Sequence, residues 1–309
     1  MGWLRRNRRA ARTVTTGRNW PDAVLDAAVA EAVEGRLDAA RTVLIECRAE
    51  PEIRVFRVGE LAEALIGHGD DITGLAGAND PDLLLLAGAV FVQEAWAVRG
   101  SGRASTVGRQ RFAVFHSHLA RTIGPLRAAA ELLPEDPVPW SELDPVARGL
   151  EFERAEKDDI WAELARRGRT LTVGVQCRLQ TLAPKWDGDE AAMLAFARET
   201  VGLVPDGHPA IAVIADAVLE GAMHHDVSLA RYARPHRDEL VAASARFLAG
   251  PAALPETARA HNIFAVVFCA LGQADHAAEH LRAMDDHLCS PWDHIGGERA
   301  YQAAAAKYL

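Results

Sequence analysis

His276-Ala277-Ala278-Glu279-His280 has the His-x-x-Glu-His spacing of an inverted zinc-protease motif. Two histidines four residues apart share a helix face and can hold a metal, with the glutamate as base. The same residues also fit the second helix of a repeat, and the 29 residues after His280 leave little room for the downstream acidic third ligand, although Glu298 is present. The spacing is read as coincidence, and no metal or cofactor is expected. His224-His225 and His116-Ser117-His118 point in divergent directions on a helix, so surface positions are expected for them.

A second grouping surrounds Glu94, which falls in the most apolar segment of the sequence, Asp82–Arg99. A carboxylate there must be paired, protonated or open to a cavity. Arg99, Arg103 and His116 are its candidate partners. Two readings stand: a place at an exposed edge or in a structural ion pair, or a ligand pocket lined by Glu94, Trp96, Arg99 and Arg103. The Gly-rich run Arg99–Thr106 opens a helix and can present backbone amides to an anion. It lacks the Gly-Lys-Ser/Thr of a phosphate loop and no strand precedes it, so a connector is expected. Pro184-Lys185-Trp186 ends a helix. Trp186 is expected as a buried wedge between hairpins, while Lys185 beside it can contact an anionic ligand. The chain carries no Gly-x-Ser-x-Gly elbow, no dinucleotide fingerprint and no cysteine metal knuckle.

The elements that position these residues are helical. Apolar residues recur at helical spacing over ten to eighteen residues, and each run ends in Gly, Pro, Asp or Asn. Alternating β-branched stretches are almost lacking. The pattern predicts about fifteen helices on short connections, the first from Pro21-Asp22 to Glu34 and the last over Gly297–Tyr308. Short connections make neighbours antiparallel, which is the helical hairpin. The expected fold is all-α, a stack of such hairpins.

Composition sets the outer limits. About half of the residues are apolar (49%) and a quarter (25%) are charged, as in an ordinary globular protein. The net charge is −9, yet residues 1–18 carry six arginines and no acid. The acidic remainder argues against nucleic acid as a partner. The first 18 residues are expected to form a disordered basic arm, dispensable for folding, and 19–309 a single helical-repeat domain. The arm lacks the apolar stretch of a signal peptide, and the longest apolar run, Leu83–Val92, is too short to cross a bilayer. The four cysteines are scattered without Cys-x-x-Cys spacing. Together these predict a cytoplasmic protein with reduced thiols and no membrane span.

Two segments echo each other. Gly35-Arg36-Leu37-Asp38-Ala39-Ala40-Arg41-Thr42-Val43-Leu44 aligns with Gly272-Gln273-Ala274-Asp275-His276-Ala277-Ala278-Glu279-His280-Leu281, sharing Gly, Asp, Ala and Leu. Gly allows the left-handed turn, Asp caps the second helix, Ala permits close approach and Leu fills the groove. This resembles the turn and second helix of a degenerate tetratricopeptide repeat. The run Leu182–Arg198, with Pro184-Lys185-Trp186-Asp187-Gly188-Asp189 before Met193-Leu194-Ala195-Phe196-Ala197, resembles a signature of an uncharacterised, largely actinobacterial family of helical-repeat proteins. There a Pro-Lys-Trp-Gly-Gly-Ser run precedes a Met-x-x-Phe-Ala helix. Trp96–Val107 and Pro137–Trp140 also resemble that family, so the likeness spans roughly residues 80–225. The chain departs from it at Asp187 and Asp189. The resemblance implies a fold and no activity. The expected function is a non-catalytic module that binds a protein or peptide in its groove. The alternative is an enzyme or small-molecule binder using a pocket at Glu94 and Arg99.

Overall fold

The computed structural model describes residues 12–18, 20–100, 108–251 and 254–309, and among these it is helical throughout, without a strand. The chain forms two compact units, Pro21–Met193 and the discontinuous pair of Met1–Trp20 with Leu194–Leu309.

The contiguous unit contains α1 (Ala23–Val33), α2 (Asp38–Glu46), α3 (Pro51–Ala64), α4 (Gly69–Ala76), α5 (Pro81–Arg99), α6 (Arg109–Leu132), α7 (Val138–Gly149), α8 (Arg154–Gly168) and α9 (Thr172–Leu182). Their starts follow from local chemistry. Asp22 accepts the Leu25 amide at 3.0 Å, and Asp80 accepts the amides of Asp82 and Leu83 ahead of Pro81. α5 is the centre: every residue from Asp82 to Val92 is buried. It is long and apolar enough to cross a membrane, but 72% of its most apolar window is buried inside the fold. α5 and α6 cross closely because Gly88 leaves room: a Cβ there would sit 2.5 Å from Leu126. Pro125 lies inside α6 without ending it, since the following Leu126 is fully buried and holds the turn in place. The pattern divides this stretch into two helices, Thr106–Ile123 and Pro125–Leu132; the structure joins them. It also adds α4, too short to show a period.

Buried ions lock the early helices. Arg54, fully buried, reaches Asp82 at 2.9 Å, Asp136 at 2.7 Å and the Leu44 carbonyl at 2.6 Å. One guanidinium thereby joins α2, α3, α5 and the α6–α7 connection, so that Arg54 is paired with two carboxylates inside the core.

α10 (Glu190–Leu203) carries the chain into the second unit, which continues with α11 (Val213–His224), α12 (Leu229–Ala233), α13 (Arg237–Ala249), α14 (Thr257–Leu271), α15 (Ala274–Ala283) and α16 (Gly297–Tyr308). The two echoing segments take the same turn. Gly35 donates to Ala32 and Arg36 to Glu31; Gly272 donates to Cys269 and Gln273 to Phe268. Both glycines are left-handed, at φ 85° and 68°.

The expected boundary of a basic arm at residue 18 does not hold for its described part. Arg12 and Gln302 exchange two bonds, Arg12 N to Gln302 Oε1 at 3.0 Å and Gln302 Nε2 to the Arg12 carbonyl at 2.7 Å. Arg12 also pairs with Asp286. Thr15 forms a parallel β-bridge with His287, donating to the Asp286 carbonyl (3.1 Å) and accepting from the Leu288 amide (2.9 Å). Val14 packs on the core of Leu281, Met284, Trp292 and Tyr301. A charge-rich segment docks here because main-chain groups and one apolar side chain, invisible to a charge count, find partners. Residues 1–11 lie outside the described residues.

Candidate functional site

The C-terminal ends of α5 and α7 and the turn after α9 bring together two tryptophans and two arginines. α9 ends at Leu182, ahead of Pro184, and the 3-10 turn Pro184–Trp186 follows, closed by Asp187 in the left-handed conformation (φ 62°). Trp186 thereby meets Trp96 edge to face, with ring centroids 6.1 Å apart at 83°. Trp96 is anchored from behind by Phe115, at 5.1 Å. Over these two rings lie two guanidinium groups. Arg99 Cζ stands 5.5 Å from the Trp96 centroid and 5.3 Å from that of Trp186; Arg148 Cζ stands 5.6 Å from each. Such stacking favours a cation through the negative ring face.

Trp96, Trp186 and Arg99 are half-buried, while Arg148 is 9% exposed. Arg148 is fixed from α9. Its Nη1 donates to the Cys177 carbonyl at 3.0 Å, lies 3.5 Å from Thr181 Oγ1 and stands 3.8 Å from Asp144 Oδ1. Thr181 donates to Asp144 Oδ1 at 2.6 Å. Among the described residues, Arg148 Nε, Trp96 Nε1 and Asp144 Oδ2 are buried here without a hydrogen-bond partner. Each such atom costs about 1–3 kcal/mol. Burial pushes the Asp144 carboxyl above its ordinary value. Burial and the charge of Arg148 both hold Arg99 below the usual arginine value.

The residues expected at one pocket separate. Glu94 accepts the Gly67 amide at 2.9 Å and lies 2.9 Å from His118 Nδ1. It closes the α3–α4 turn; its partner is His118, not Arg99 or His116. Residues two apart on a helix face nearly opposite sides, so Glu94 and Trp96 cannot share a site. Trp96 and Arg99 do come together, and Lys185 is exposed beside Trp186 in the chain. Arg103 lies outside the described residues. Trp186 is half-buried rather than the buried wedge the sequence predicts. Arg148 and Asp144 escape sequence reading, since they sit i and i+4 on a helix like any surface pair. Arg111, also unforeseen, donates to the Val98 carbonyl at 3.0 Å (Nε) and 2.7 Å (Nη2), capping α5.

The second unit holds a buried polar array. His280, fully buried, lies 2.8 Å from Ser244 Oγ through Nε2 and 3.0 Å from His261 Nδ1 through Nδ1. Its ring stacks among Phe264 (5.0 Å), Phe268 (5.8 Å) and Phe247 (6.3 Å). Both His280 nitrogens are thus occupied, and Glu279 is exposed. The zinc-protease geometry, with the glutamate beside the metal, is not what these residues form. His224 and His225 are exposed, and His225 stacks on Tyr232 at 5.7 Å. On α7, burial pushes Glu142 up to about 7, a value suited to proton exchange near neutrality. All four cysteines are free thiols.

No protein-family model matches the chain, and no curated protein is significantly similar to it.

Proposed function

We propose that the protein is a non-catalytic binding module, a tetratricopeptide-like stack of helical hairpins, that takes a protein or peptide partner at Trp96, Arg99, Arg148 and Trp186. One observation carries this reading. Two half-buried indoles share two guanidinium groups at 5.3–5.6 Å, on the rim of three elements. Trp and Arg in this half-covered state are the residue types that dominate recognition surfaces. The repeated left-handed glycine turns at Gly35 and Gly272 support the hairpin stack. The chain's net charge of −9 speaks for a partner other than nucleic acid, and four free thiols are consistent with a reducing cytoplasm.

Panning a displayed random-peptide library against the wild type, with counter-selection on Trp186→Ala and Arg148→Gln proteins, tests the proposal. Enriched peptides that bind wild type and lose both variants, each variant shown to be folded by a cooperative melting curve, are expected. Enrichment only of peptides indifferent to the two variants, or none at all, overturns it.

A further inference from the structure

We infer that the group captured at this site is a carboxylate, an aspartate or glutamate side chain of the partner. The inference rests on the binding-module reading and adds the chemistry of the ligand. Two of the buried polar atoms here without a hydrogen-bond partner among the described residues are donors, Arg148 Nε and Trp96 Nε1, and one, Asp144 Oδ2, is an acceptor. Arg148 spends Nη1 on the Cys177 carbonyl, but its Nε is buried without a partner and its Nη2 makes no hydrogen bond among the described residues. These two atoms form one edge of the guanidinium, and that edge matches the two coplanar oxygens of a carboxylate. Trp96 Nε1, another donor without a partner, belongs to a ring that Arg148 covers. Two like charges also stand within 5.6 Å of the same two ring centroids, and Arg148 already acts against the charge of Arg99. An anion at this place relieves that repulsion and satisfies the donors together.

Asp144 decides between anions. Its Oδ1 stands 3.8 Å from Arg148 Nη1, and its Oδ2 has no partner. When ionised, it supplies a negative neighbour to whatever binds Arg148. A carboxylate brings one charge there, whereas a phosphate brings about 1.5 to 2 at neutral pH. Asp144 therefore favours the singly charged ligand.

The test uses fluorescein-labelled hexaglutamate, hexa-phosphoserine and hexalysine peptides, titrated by anisotropy into the full-length protein at low salt. The contrast between variants is the readout, because the arginines of residues 1–18 attract any polyanion. Hexaglutamate is expected to bind best. Arg148→Lys, which keeps charge and loses the fork, and Arg99→Gln should each weaken it about tenfold. Asp144→Asn should raise the affinity for the phosphoserine peptide more than for hexaglutamate. Melting curves identify any variant that fails to fold, and half-buried Arg99 carries the test if Arg148→Lys does. Hexaglutamate binding equal in wild type and both arginine variants overturns the carboxylate assignment. So does a wild-type preference for phosphoserine. If the display experiment meanwhile yields site-dependent peptides without acidic residues, the binding module stands and only the ligand class falls.

Discussion

His280 stands where the echoing hairpin has Val43, and both side chains are buried. A histidine at a core position must remain neutral. Burial holds both His280 and His261 well below the ordinary histidine value of 6.5. Above that pH both are neutral whether folded or not. As pH falls below it, the unfolded chain takes up protons that the folded pair refuses, so stability declines by up to about 1.4 kcal/mol per pH unit for each proton. Urea unfolding from pH 7 to pH 4.5 should show this decline, and His280→Val should flatten it while lowering stability at pH 7 by about 1–3 kcal/mol through the stranded Ser244 and His261. An equal slope in the variant would sink the assignment. Glu142 works in the opposite sense. Its carboxyl is raised to about 7 in the fold, so the folded state holds the extra proton between about pH 4.5 and 7 and loses stability as pH rises through that window. Glu142→Gln should therefore melt above wild type at pH 8 and alongside it at pH 4.5. Neither effect is legible in the sequence. Glu142 reads as a polar helix residue, and His280 belongs to a zinc-like spacing that draws attention to Glu279, which is exposed.

Elements were more legible where they were long and periodic. α5 announces itself through an apolar run bounded by Asp80-Pro81 and Gly100, and the two glycine turns through their matched spacing. α4 and α12 span eight and five residues, too few for a helical period to repeat. Pro125 misleads in the other direction, since tertiary packing outweighs its local cost. The site shows the same division. Trp96 and Arg99 could be found because they are a Trp and an Arg one turn apart near a glycine-rich run. Arg148 could not, because its place depends on α9 offering the Cys177 carbonyl. The turn that delivers Trp186 depends on close backbone packing: a Cβ on Gly188 would lie 2.0 Å from the Leu182 carbonyl oxygen. Gly188→Ala should open that turn, lower the melting temperature by a few degrees and weaken peptide binding as much as Trp186→Ala does. Trp186→Ala itself should cost less than the roughly 3–5 kcal/mol of a fully buried aromatic ring, because the indole is half-exposed.

At the scale of the whole molecule, the second unit is assembled from chain segments that precede and follow the first in the sequence. Arg12 and Gln302 exchange two bonds, and Thr15 adds two more with the main chain around His287. Deleting residues 2–17 should lower the melting temperature of this unit by several degrees. Gln302→Ala, which removes two of the bonds, should cost about 1–2 kcal/mol. Calorimetry would resolve the two units, and an unchanged upper or lower transition in the deletion would identify Pro21–Met193.

The bridge between Thr15 and His287 also sets an order in time. On the ribosome Thr15 emerges some 270 residues ahead of its partner, on the order of half a minute at about 5–20 residues per second. Pro21–Met193 is contiguous and can close during that interval. Through it, the strip around Thr15 waits as a bare strand-like stretch, open to chaperones, to proteases and to any other exposed backbone edge.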